Sequence, residues 1–225
     1  MQARRERILE EVLNLIAEQG LSGFSLGELC RRAGVAKQTI YYAFGSREGL
    51  ISAAIRNHFD KSERQIPYHF PTASLERLLE RTVGVGQRNL QIRNYVAAIT
   101  SFYYGGSNSP ELWRALHDIT TLPQRPYVEG LRRSRQLQAW VKPQWLIDEL
   151  DAQKLSASND WVNGRIGDDE LIDSMVLNQL TFLLGSVRGA ARTHIERTLR
   201  ELTKVGAVAY VAELAKDHPP VTPAA

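Results

Sequence analysis

The chain has 225 residues, 43% of them hydrophobic and 24% charged, enough for one or two globular domains with a sizeable core. Its formal net charge is only +3, with ten basic against eight acidic side chains in residues 1–65, so bulk charge does not argue for a nucleic-acid partner and local placement must. The single cysteine, Cys30, excludes an internal disulfide framework and a thiolate metal cluster. No run approaches the ~18 apolar residues of a membrane span, and the basic start lacks the uninterrupted apolar core of a signal peptide. The expected compartment is a reducing cytoplasm, with no membrane partner.

Helical periodicity runs through the chain. Between Arg4 and Gln19, Ile8, Leu9, Val12, Leu13 and Ile16 recur at helical spacing, and Gly20 stops the helix. Ser25 opens the next helix and, with Glu28 three residues on, predicts a capping box. Leu26, Leu29, Cys30 and Ala33 form its apolar side, which reads Cys30 as a small core hydrophobe. Gly34 supplies a sharp turn that needs φ > 0. A short helix then spans about Ala36 to Tyr42, and Ser46 caps a fourth with Leu50, Ile51, Ala54, Ile55 and Phe59. Pro67-Tyr68-His69-Phe70-Pro71 interrupts the pattern and predicts a domain boundary.

Beyond it the chain again reads helical. Helices are predicted after Ser74, from Arg93 to Tyr104, from Pro110 and from Pro143, with Pro123 and Pro126 breaking or kinking the third before a segment from Tyr127 to Trp140. Gly105-Gly106-Ser107-Asn108-Ser109 ends the second of these. Asp168, Asp169 and Glu170 precede a long helix to about Ala191, and a last helix is expected over Ile195 to Lys216. Nothing alternates convincingly as a strand. The predicted fold is all-α, with domains at 1–66 and 67–217 and a disordered tail at 218–225.

Two short helices joined at Gly34, the second bearing Lys37, Gln38, Thr39, Tyr41 and Tyr42, fit a helix-turn-helix whose second helix enters the DNA major groove. Tyrosine hydroxyls can donate to phosphates while the rings pack on sugars and methyls, and Gln38 can pair bidentately with adenine. Arg4, Arg5 and Arg7 can neutralise further phosphates or form a solvated helix end. Phe44 reads as a core plug.

The segment from Ile8 to Phe59 resembles the DNA-binding domain of the tetracycline-repressor (TetR) family of transcription regulators. The resemblance rests on the Gly20 break, the Phe24-Ser25-Leu26 entry, the string Gly34-Val35-Ala36-Lys37-Gln38-Thr39-Ile40-Tyr41-Tyr42-Ala43-Phe44 and the following Ser46-Arg47-Glu48-Gly49-Leu50. It implies a homodimer on a near-palindromic double-stranded DNA operator, with an N-terminal helix-turn-helix domain. It also implies a C-terminal helical domain for dimerisation and for a small-molecule effector that releases the DNA. By the same resemblance Lys37 and Gln38 approach bases or phosphates, Thr39, Tyr41 and Tyr42 touch phosphates and thymine methyls, and Arg47 makes a backbone contact in place of the usual Lys. Ser25 joins this DNA-binding set. Ala36 and Ala43 depart from the common hydroxyl residue and the common His, and Gln38 stands where Gly is frequent.

The other expectations concern the C-terminal part. Pockets for small molecules are apolar and aromatic with few polar anchors, and Phe102, Tyr103, Trp113, His117, Tyr127 and Trp140 are the expected lining. Small residues one turn apart around Gly185 and Gly189, and again around Gly206 and Ala209, suit a tight four-helix dimer seam, with Leu202 beside them. The five histidines show no ligand spacing, so no metal or cofactor is expected. No clustered acid, base or nucleophile set points to an enzyme. The competing readings are an activator or constitutive DNA-organising protein of the same fold, and an all-helical enzyme with an incidental helix-turn-helix.

Overall fold

A computed structural model describes residues 2–105 and 109–221. Among the described residues twelve α-helices follow one another: α1 (Gln2–Gly23), α2 (Leu26–Ala33), α3 (Lys37–Phe44), α4 (Arg47–Gln65), α5 (Leu75–Gln91), α6 (Arg93–Tyr104), α7 (Pro110–Thr121), α8 (Arg125–Arg133), α9 (Pro143–Val162), α10 (Leu171–Ser186), α11 (Gly189–Val205) and α12 (Ala207–Ala215), with a 3-10 turn at Leu122–Gln124. The only pairing of β type among the described residues is an isolated antiparallel bridge between Leu137 and Val187.

The chain forms two compact units, one of Met1–Glu63 with Ile92–Thr120, the other of Arg64–Gln91 with Thr121–Ala225. The chain leaves the first unit at residue 64, near the expected boundary at 67, and returns to it with α6 and α7.

In the first unit, Ile8, Leu9, Val12, Leu15 and Ile16 of α1 are at most 3% exposed. They share a core with Leu29, Ile40, Leu50, Ile51 and Ile55, completed by Tyr95 and Ile99 of α6 and Leu112 and Leu116 of α7. Each fully buried aliphatic side chain contributes about 1.5–3 kcal/mol, so this core defines the orientations of the short helices. Cys30 and Phe44 are partly buried against it, as expected. The break in α1 falls at Gly20, with φ 71. Gly34 takes the left-handed conformation, φ 62 and ψ 44, and the Val35 N–H closes the end of α2 on the Cys30 carbonyl at 3.0 Å. That conformation costs a side-chain-bearing residue about 1–2 kcal/mol, and it turns the chain from α2 into α3.

Caps delimit these helices. Ser25 Oγ accepts the Glu28 N–H at 3.4 Å and Ser46 Oγ the Gly49 N–H at 2.9 Å. The expected capping box forms by half only. The Glu28 carboxylate bonds Arg31 Nε at 2.9 Å and Arg32 Nε at 2.8 Å, because the i+3 and i+4 guanidinium groups offer stronger charge-assisted partners than a backbone N–H.

In the second unit, α10 packs against α9 and α5. At Gly86 of α5 a Cβ would stand 2.8 Å from Ile172 Cγ1 of α10, so this approach excludes a side chain. Thr82 donates to Gln179 Oε1 at 2.7 Å, and Gln179 Nε2 donates to the Leu150 carbonyl at 2.8 Å, satisfying a buried polar link across three helices.

Two expected helices are corrected here. The long helix does not reach Ala191: it ends at Ser186, because Val187 turns extended to bridge Leu137, flanked by Gln138 N–H to the Ser186 carbonyl at 2.9 Å and Arg188 N–H to the Gln136 carbonyl at 2.8 Å. The last helix is two helices, α11 and α12, divided at Gly206 with φ 85. Asp173 Oδ1 accepts the Ala207 N–H at 2.7 Å and so starts α12. Of the expected tail, the Val221 N–H bonds the Tyr68 carbonyl at 2.6 Å and the His218 ring lies 4.6 Å from that of Phe70. Residues 106–108 of the expected loop and 222–225 of the tail lie outside the described residues.

Candidate nucleic-acid interface and candidate ligand cavities

The eight residues of α3 divide cleanly by side. Ile40 is 1% exposed and Phe44, one turn on, packs against the same core, so the opposite side must face out. There Lys37, Gln38, Tyr41 and Tyr42 form one exposed stripe, Tyr41 at 48% and Tyr42 at 94%. Thr39 is half-buried. Lys37 carries no ion pair among the described residues. Ala36 provides no side-chain cap, so the first-turn N–H groups of α3 lack the hydroxyl partner that Ser25 supplies to α2.

Of the remaining basic and hydroxyl residues expected to meet DNA, Arg47, Ser25, Arg7 and Arg5 are engaged within the unit. Arg47 donates to the Leu21 carbonyl at 2.8 Å and lies over the Phe24 ring at 5.4 Å, strapping the break after α1 to the start of α4. Ser25 caps α2. Arg7 donates to the Ala33 carbonyl at 2.8 Å, and Arg5 lies over the Phe44 ring at 5.1 Å. Arg4 is exposed.

A charge network lies beside α2, its Glu28, Arg31 and Arg32 spaced three and four residues apart on the helix. Arg32 reaches from Glu28 to Glu18 of α1, its two terminal nitrogens 2.8 and 2.6 Å from the Glu18 carboxylate oxygens. Hydrogen bonds from Arg31 and Arg32 hold the Glu28 carboxyl down at about 2, from an ordinary 4.5. The Glu18 carboxyl is lowered in the same sense by Arg32.

Of the six aromatic and histidine residues expected to line one pocket, four lie in the first unit and two in the second. In the first unit Trp113 and His117 stack at 4.7 Å, and Tyr103 lies 6.3 Å from Trp113, with Phe102 half-buried against the core. In the second unit Tyr127 lines a cavity of about 420 Å3 between α5, α8 and α11. Trp140, 72% exposed, lines a separate open groove of about 490 Å3 with Trp145, Phe182 and Gly185. Neither Glu76 nor His194, which share the Tyr127 cavity, was expected there; they are far apart in the chain and carry no motif.

Of the expected seam residues, Leu202 is 1% exposed within its own unit, whereas Gly185 and Ala209 are exposed. Gly189 and Gly206 have φ 62 and 85 and stand at helix ends, not as small residues inside continuous helices, which corrects the spacing argument for them. Among the described residues no helix is long and apolar enough to cross a membrane, and no group of three or more His, Cys, Asp or Glu is placed to hold a metal ion.

Comparison with known proteins places this geometry. Residues 8–54 match the model of the bacterial regulatory proteins, tetR family. The chain is 28% identical over 117 residues to the HTH-type transcriptional regulator BetI of Rhizobium meliloti, covering 50% of this chain and 57% of that protein. It is 41% identical over 51 residues to the regulator AcrR of Shigella flexneri, covering 23% and 24%. The chain thus spans little more than half the length of these relatives at best. A TetR-family regulator from Rhodococcus sp. shares the fold, with a TM-score of 0.63 at 20% identity over 78% of this chain and 96% of that one. Residues 8–54 thus carry the helix-turn-helix segment of the tetR family of bacterial regulatory proteins, and the chain shares its all-helical fold with the Rhodococcus structure.

Proposed function

We propose that the protein is a sequence-specific DNA-binding transcriptional regulator that acts as a homodimer, represses from a near-palindromic operator and is released from it by a small molecule. The observation that carries this reading is the stripe on α3: a Tyr at 94% exposure beside Lys37, Gln38 and Tyr41, held outward by a buried Ile40. Large aromatic rings exposed on a short helix suit a partner surface with phosphates and methyl groups. The uncapped first turn of α3 offers N–H groups and a positive helix end to a phosphate.

In this reading Lys37, Gln38, Tyr41 and Tyr42 make the principal contacts, with Thr39 beside them. Arg47 and Ser25 serve chiefly to orient α3, since their polar groups already have intramolecular partners. Dimerisation would set two recognition helices about 34 Å apart, one turn of DNA. We place the seam on the α9–α10 face, where Trp145 is 42% exposed and Phe182 and Gly185 border the same groove. An effector that binds better to a differently spaced conformer would lower DNA affinity by population shift.

Selection of bound fragments from random DNA with the full-length protein tests the proposal. A palindromic consensus supports it, and recovery of unselected sequence at all salt concentrations would sink it.

A further inference from the structure

The second unit contains a cavity of about 420 Å3 where the first turn of α5 meets α8 and the first turns of α11. Its polar lining separates into groups already committed and groups left over. Ser74 Oγ accepts the Arg77 N–H at 3.1 Å and donates to the Pro71 carbonyl at 2.9 Å. Gln136 Oε1 accepts the Ala191 N–H at 2.6 Å and its Nε2 donates to Ser134 Oγ at 3.0 Å. Ser134 Oγ in turn donates to the Gly130 carbonyl at 2.9 Å. The two helix N-termini that border the cavity, which would otherwise favour an anion, are therefore covered by Ser74 and Gln136.

Three further polar groups take no part in these bonds, two of them paired with each other. Glu76 Oε1 and His194 Nε2 stand 3.2 Å apart, with side chains 24% and 35% exposed. Tyr127 is only 7% exposed, and its hydroxyl takes no hydrogen bond from the described residues. Burial, and then the charge of Glu76, raise the Tyr127 phenol, so it stays neutral at physiological pH. Leu75, Leu131 and Ala191 supply an apolar wall beside these three groups.

We propose that this cavity binds a small primary alkylammonium ion between Glu76, Tyr127 and His194. An ammonium head carries three N–H donors. The Glu76 carboxylate and the Tyr127 oxygen are two acceptors, the His194 ring stands beside the carboxylate at 3.2 Å, and the short alkyl body meets the apolar wall. A carboxylate or phosphate ligand would face Glu76 with like charge. The volume lies in the ordinary range for small-molecule sites. As an effector site the cavity deepens the ligand-release reading above and rests on it; as a binding site it stands alone.

The test is calorimetric titration of the full-length protein with n-butylammonium chloride, with sodium butyrate and n-butanol as controls. Saturable binding of the ammonium alone, weakened at least about tenfold by Glu76→Gln and less by Tyr127→Phe, supports the site. No saturable binding, equal binding of butyrate, or unchanged affinity in Glu76→Gln overturns it. Where Glu76→Gln fails to fold, Tyr127→Phe, which keeps the ring volume, decides by the same criterion. Operator affinity measured with and without the ammonium separates the two readings. Binding with unchanged operator affinity keeps the site and removes its effector role, while release by another compound without ammonium binding keeps release and removes this site.

Discussion

Ile40 and Tyr42, two positions apart on α3, are 1% and 94% exposed. A two-residue step turns an α-helix by about 200°, so anchoring Ile40 in the core obliges Tyr42 to project. The expected consequence is that Tyr42→Phe leaves the melting temperature unchanged, since the hydroxyl touches nothing in the unit. DNA affinity should fall by about 1 kcal/mol for every operator alike, as for one lost hydrogen bond to a phosphate. Fluorescence anisotropy on a panel of operator variants checks this; a loss confined to particular sequences would show that Tyr42 reads bases.

Gln38 shares the exposed stripe and has both donor and acceptor on one amide. Gln38→Ala should relax operator preference at one base position per half-site, at about 1–3 kcal/mol of discrimination. Affinity for unrelated DNA should be unaltered. An identical binding-site profile for the two proteins, from parallel fragment selections, would exclude base readout by this residue.

The first four helices were legible because their signals are local: apolar spacing, the serines at 25 and 46, and the Gly34 turn. Even there the detail depended on tertiary partners. Leu15, not part of the expected stripe, is fully buried, and Glu28 turned to two arginines in preference to the backbone. Farther along, local reasoning failed for an identifiable cause. The end of α10 is dictated by a bridge from Val187 to Leu137, and the start of α12 by Asp173, both distant in sequence. The aromatics were read as one pocket because composition carries no spatial address. Tyr103, Trp113 and His117 pack within the first unit and Tyr127 and Trp140 within the second.

The Glu28 network predicts a specific acid response. A carboxyl held at about 2, against 4.5 ordinarily, stabilises the folded protein at pH values above the ordinary value. That contribution is lost progressively as pH falls from there toward 2. The melting temperature of Glu28→Gln should therefore lie below that of the parent near neutrality, and the gap should close in the acid range. Thermal melts across this range check it, and a gap independent of pH would assign the effect of the substitution to something other than ionisation.

Gly34→Ala places a Cβ at φ 62 with nothing within 4 Å to obstruct it, so the cost is purely conformational. It should destabilise the protein by about 1–2 kcal/mol. Because the same backbone conformation aims α3, operator affinity should fall even at temperatures where the variant is fully folded. Denaturant unfolding and DNA binding below the transition measure the two effects separately; unchanged stability would mean that the turn can relax to another conformation.

The placement of the dimer seam is open to a cleaner test than substitution of the seam glycines. Leu at Gly206 would strain a backbone at φ 85 whatever the oligomeric state, so loss of a dimer there would be ambiguous. Trp145 avoids this difficulty: it is 42% exposed, and its ring meets Phe182 at 5.4 Å across the α9–α10 groove. Buried tryptophans dominate association energies, with losses of about 2 kcal/mol or more on truncation. Trp145→Ser should therefore raise the dimer dissociation constant by about thirtyfold or more, while a half-exposed position limits the loss of protomer stability. Sedimentation velocity over a concentration series reads the first effect and circular dichroism the second. A dimer of unaltered strength would move the seam away from this face, and with it the role assigned to Gly185.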